Sequence, residues 1–118
     1  MTPAKQAVKL AADPRLAARD WDSYKAEPIP LRTFWHALGF ALALPDDCQS
    51  GCHVAPESSG ELLFEWYTPD PDRWLSLSID EEGAADWCSQ ADGDFLAGEF
   101  AFTGAIPDDL IEAIRSLK

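Results

Sequence analysis

Apolar residues recur at Leu31, Phe34, Trp35, Leu38 and Leu42, a spacing of three and four that gathers them on one side of a helix. Pro30 or Thr33 stands near the start and Pro45 stops the run, so residues 31–44 are predicted to form the main core helix. The opposite side carries Phe40 and Ala41, with Arg32 and His36 as polar interruptions, which predicts burial on more than one face.

After residue 60 the period changes to two. Residues 61–67 set Leu62, Phe64 and Trp66 on one face and Glu61, Leu63, Glu65 and Tyr67 on the other; Pro69-Asp70-Pro71-Asp72 then makes a turn. Residues 73–80 alternate Leu75, Leu77 and Ile79 toward a core with Trp74, Ser76, Ser78 and Asp80 away from it. Glu81-Glu82-Gly83 leads into a third strand near 85–90. Ala91-Asp92-Gly93-Asp94 turns into a fourth over 95–103, where Phe100 and Phe102 share a face and Gly98 is a candidate bulge. Residues 45–60 read as a loop holding a short edge strand around 53–55.

Helices close both ends. Residues 4–12 are Ala-rich and helix-forming, and Asp13-Pro14 ends that helix and restarts a turn with Asp13 as its cap. Residues 106–117 carry the stripe Leu110, Ile111, Ile114 and Leu117, with Pro107 in the first turn, Asp108 and Asp109 at the positive end of the helix dipole and Arg115 and Lys118 at the negative end. The predicted class is α+β: one domain over residues 1–118, an antiparallel meander of about four strands with two or three helices on one face. Residues 1–20 are expected to be a frayed helical segment.

Composition sharpens this picture. A hydrophobic fraction of 47% with five Trp argues against disorder in a chain of net charge −12. The charge is unevenly spread: residues 33–114 hold seventeen Asp and Glu against Arg73 alone, whereas residues 1–32 hold six Lys and Arg against four acids. A fold built mainly from the acidic stretch attracts basic surfaces and repels nucleic acid and anionic membrane. No apolar run approaches a membrane span, no secretion signal is legible, and three cysteines are too few for a disulfide scaffold, so a cytoplasmic location is expected.

The segment Trp21-Asp22-Ser23-Tyr24-Lys25-Ala26-Glu27-Pro28-Ile29, followed by a helix and by Gly60-Glu61-Leu62-Leu63-Phe64-Glu65-Trp66, resembles a group of small bacterial proteins with a W-D-x-Y-x-A-x-P-I signature and a later E-W strand. The likeness covers roughly residues 19–67 and implies a bacterial or phage origin; no activity comes with it. The signature usually carries Gly where this chain has Lys25. Physically the segment reads as structural, with Trp21 and Tyr24 as anchors, Asp22 as a turn cap and Pro28 holding Glu27 extended.

Candidate chemistry is sparse. Cys48, Cys52, His53 and Cys88 are the ligand types of a zinc site, but a C-x3-C pair with His directly after it matches no recognised zinc spacing, and no metal is expected. Asp70-Pro71-Asp72 and Asp92-Gly93-Asp94 lack the remainder of a calcium loop. No nucleophile elbow, P-loop or dinucleotide fingerprint is present, so a non-enzymatic protein without cofactors is expected.

The acidic positions remain. Asp70, Asp72, Asp80, Glu81, Glu82, Asp86, Asp92, Asp94 and Glu99, with Trp74 as an aromatic anchor, are the expected partner-binding surface; Trp87 is either a second anchor or a buried residue, since alternation alone does not show which face is covered. Carboxylates two apart on a strand, about 6.6 Å, are spaced comparably to phosphates and could occupy a basic groove in their place. By charge and size the chain resembles phage-encoded anti-CRISPR and other DNA-mimic inhibitors. Its expected partner is a basic nucleic-acid-binding or nuclease complex, a Cas effector or a toxin, without direct binding of nucleic acid or membrane. The alternatives are an antitoxin or immunity protein against a basic nuclease, and an accessory subunit whose acidity only solubilises it.

Overall fold

The computed structural model describes residues 1–23 and 25–118. The Thr2 hydroxyl accepts the Lys5 N–H and opens α1 (Pro3–Ala11); Asp13 then caps a single 3-10 turn, Pro14–Ala17, by accepting the Arg15 N–H. After an extended stretch come α2 (Leu31–Ala43) and the one-turn α3 (Asp46–Gln49). Five strands follow, β1 (Cys52–Pro56), β2 (Leu62–Tyr67), β3 (Trp74–Ile79), β4 (Ala84–Ala91) and β5 (Asp94–Ala101), and α4 (Asp108–Arg115) ends the chain. Every neighbouring pair is antiparallel in the order β1-β2-β3-β4-β5. The expected α+β meander is present, with five strands rather than about four, because the edge strand foreseen at 53–55 pairs along its whole length with β2.

One sheet face is the floor of the core. Val54, Phe64, Leu77 and Trp87 form one cross-strand row, and Leu62, Ile79 and Ala85 form another, all buried. Phe40 of α2 meets Phe64 edge to face at 5.0 Å, and α4 adds Leu110 and Ile114 to the same core. Burying a side chain such as Phe40 contributes about 1.5–3 kcal/mol. The indole of Trp66 donates to the Cys48 carbonyl at 2.7 Å, tying β2 to α3.

The α2 stripe departs from expectation. Thr33, Phe34, Ala37, Phe40 and Ala41 are buried, whereas Leu31, Trp35 and Leu42, expected in the core, are exposed. A helix that is apolar nearly all round offers the sheet several faces, and the one bearing Ala37 and Ala41 lets the backbone approach most closely. Trp87, for which the sequence offers both an anchor and a buried role, takes the buried one, in the core row. Gly98 is no bulge: β4 and β5 pair without an extra residue, and a Cβ at 98 would stand 2.7 Å from the Trp87 indole nitrogen.

The signature segment is a structural strap. The Trp21 indole donates to the Glu27 carbonyl at 2.7 Å and Asp22 accepts the Ala26 N–H, as its capping role requires. Glu27 N–H reaches Ser58 O at 2.8 Å, and a Cβ at Gly60 would lie 3.1 Å from Pro28 O, so the two stretches of the signature touch. Lys25 has φ 64, a left-handed conformation that favours Gly. Tyr24, expected as a second anchor, lies outside the described residues.

Candidate acidic interface

All cross-strand rows on the sheet face away from the core are partly or fully open to solvent. Two of them matter. Leu63, Ser78, Asp86 and Glu99 form one row toward the β3–β4 turn; Tyr67, Trp74, Gln90 and Phe95 form another toward the β2–β3 and β4–β5 turns.

At the first end Asp86 and Glu99 are directly paired across β4 and β5, which sets their Cβ atoms about 4.5–5.5 Å apart and opposes two like charges. Glu61 and Asp80 join them around an open hollow of about 470 Å3. Burial pushes the Glu61 carboxyl above its ordinary value, and the neighbouring charges of Glu57, Asp86 and Asp80 push it the same way. Beside this hollow lies a second, bounded by Glu27, Glu61, Asp80, Glu81 and Glu82. Local cations are few: Arg32 lies 3.7 Å from Glu81 and Arg19 is 3.1 Å from Glu27.

Part of this acidity is already occupied by the fold. One Asp80 oxygen accepts the N–H groups of Glu82 and Ala84, each at 2.9 Å, and so shapes the β3–β4 turn. Glu57 accepts the Ser78 hydroxyl. Asp86 and Glu99 are exposed side chains on regular strand backbone.

The meander sends the remaining expected residues to the opposite end. Asp70 and Asp72 lie in the β2–β3 turn, where Asp70 accepts the Asp72 N–H; Asp92 and Asp94 lie at the β4–β5 turn, and Asp92 is paired with Arg73. The single acidic surface expected from the sequence is therefore two clusters at the two ends of the strands. Trp74 belongs to the second, half-buried on the open face and edge to face with Phe95 at 6.4 Å, with Tyr67 exposed in the same row. Glu57 and Glu61 were missed by the sequence reading. Only the registers of β2 on β3 and of β3 on β4 bring Glu61 to Asp86, and the turn before β2 sets Glu57 beside Glu61.

The four metal-ligand types do not converge. Cys48 is buried at α3, Cys52 faces the core from β1, and His53 and Cys88 stand on the other sheet face; among the described residues no cluster suited to a metal is formed. Burial raises the Cys48 thiol above its ordinary value and pushes Cys52 up to about 12, so both are weakly nucleophilic. Among the described residues no helix is long and apolar enough to cross a membrane. No family model, curated protein or solved structure matches this chain.

Proposed function

We propose that this chain is a binding protein that inhibits a basic, nucleic-acid-handling partner, and that the contact is the open sheet face around Glu61, Asp80, Asp86 and Glu99. The observation that carries the reading is the cross-strand Asp86–Glu99 pair beside Glu61, whose carboxyl is held above its ordinary value. Like charges directly opposed on a sheet destabilise it, and proteins depart from such local rules chiefly at functional sites. A Lys or Arg side chain of a partner entering the hollow relieves this repulsion and gains charge-assisted hydrogen bonds.

The aromatic row Tyr67, Trp74 and Phe95 at the other end adds apolar contact to the same face. A basic groove occupied in this way is closed to DNA or RNA, as in anti-CRISPR and other DNA-mimic inhibitors. An antitoxin or immunity protein covering a basic nuclease would use the same surface.

The test is capture on the tagged chain from bacterial lysates with and without a Cas effector or a basic nuclease toxin, at low and high salt. Any captured protein is then assayed for loss of nucleic-acid binding. The expected result is one basic partner, released by salt and retained poorly by a D86N/E99Q variant. Capture that is indifferent to both salt and the double substitution would sink the proposal and leave the acidity as solvation.

A further inference from the structure

Two of the helices differ in charge from the sheet. Neither α1 nor α2 contains an Asp or Glu, while Lys5, Lys9 and Arg32 are exposed on them, in a chain of net charge −12. On these two helices Leu31, Trp35 and Leu42 of α2 are 79%, 75% and 68% exposed and Val8 of α1 is 54% exposed. With Leu38 they follow the 4-3-4 spacing of a helix-pairing seam, 31, 35, 38 and 42. Two shallow apolar grooves between α1 and α2 share Val8 and Leu38, so the strip is continuous.

We propose that this strip is the interface of a homodimer in which α2 of one copy lies antiparallel to α2 of the second. Leu31 then packs on Leu42 of the second copy, and Trp35 packs on Leu38 of the second copy. Two observations select a second copy as the occupant.

The first is area. Four side chains exposed to this degree, one an indole, present on the order of 600 Å2 of apolar surface, at the top of the range for an ordinary monomer and near the ~800 Å2 per partner of a standard interface. The aliphatic stems of Lys5 and Lys9 extend it further.

The second is charge. Lys5 and Lys9 line the groove at the Leu42 end of α2, whereas Glu81 and Glu82 lie by the other end, near Pro30 and Thr33. Antiparallel pairing carries the lysines of each copy toward the acidic end of the other. Pairing through the open sheet face would instead set two acidic hollows against each other. The dimer leaves that sheet face free on both copies and makes the molecule bivalent for whatever it binds.

Sedimentation equilibrium of the purified chain over about 1 µM to 1 mM tests this. The expected result is a monomer–dimer equilibrium in which W35S and L42S each weaken association by about tenfold or more, as substitutions at an interface centre do. Both residues are exposed, so circular dichroism should show both variants folded; D86N on the sheet should leave association unchanged. Oxidation of mixed L31C and L42C chains should join residue 31 of one copy to residue 42 of the other.

A monomer throughout the range, or a dimer insensitive to W35S and L42S, overturns the proposal. Cross-linking of residue 31 to residue 31 of the second copy in place of residue 42 overturns the antiparallel pairing. Binding of the monomeric chain to vesicles of phosphatidylcholine and phosphatidylglycerol, abolished by W35S and without dimerisation, would assign the strip to a membrane surface and overturn it as well.

Discussion

Thr33 is wholly buried in the first turn of α2, and its hydroxyl has no hydrogen-bond partner among the described residues. A buried hydroxyl without a partner loses its water and gains nothing, so T33V is expected to be neutral or to stabilise by up to about 1 kcal/mol in urea unfolding. A clear loss of stability would mean that the hydroxyl is satisfied in solution. The opposite holds at Gly98, where any Cβ meets the Trp87 ring. G98A should cost about 1–3 kcal/mol by overpacking, read as a lowered thermal midpoint; an unchanged midpoint would show that the indole moves aside freely. The glycine was visible in the sequence, and its reason was not. A bulge and an indole crossing the neighbouring strand ask for the same residue, and only the register separates them.

At the scale of elements, Gln6 closes the sheet. Its side-chain amide donates to Cys52 O at 2.9 Å and accepts Val54 N–H at 2.7 Å, doing for the outer edge of β1 what a sixth strand would do. Q6A should therefore cost about 1–2 kcal/mol and speed hydrogen exchange at the Val54 amide; unaltered exchange there would show that the edge is protected by something else. Nothing in the sequence pointed to Gln6, because a helix and a strand separated by 46 residues share no local pattern. The strands themselves were legible. Their period of two is unbroken within Leu62–Tyr67 and again within Trp74–Ile79, and the half-buried sheet imposes that period directly. The orientation of α2 was not legible, since residues that are apolar on every side leave the choice of face to packing against Phe64 and its neighbours.

For the whole molecule, acidity sets the pH response. Glu61 has a folded value raised above 4.5, so its stabilising contribution is fully present below that pH and is lost as pH rises through the raised value. Asp13 and Asp47 lean the other way. Arg15 and Arg115 hold them below 3.8, so their contribution is present above 3.8 and lost as pH falls further. The thermal midpoint should thus rise on acidification from pH 7 toward about 4.5 and fall below about 3.8, and E61Q should raise the neutral-pH midpoint and flatten the upper slope. A midpoint that declines steadily from pH 7 downward would contradict this assignment. The acidic charge was legible as a total, and its division between the two ends of the strands was not. By itself the sequence determined the α+β class, the meander and the excess of carboxylates, because periodicity, turn residues and charge are local or additive properties of the chain. Tertiary structure alone decided that Glu61 joins Asp86 and Glu99, that Asp92 is tied to Arg73, and that Trp35 lies outside the core while Trp87 is within it. Each of these depends on which distant segments are brought into register, and no local pattern carries that information.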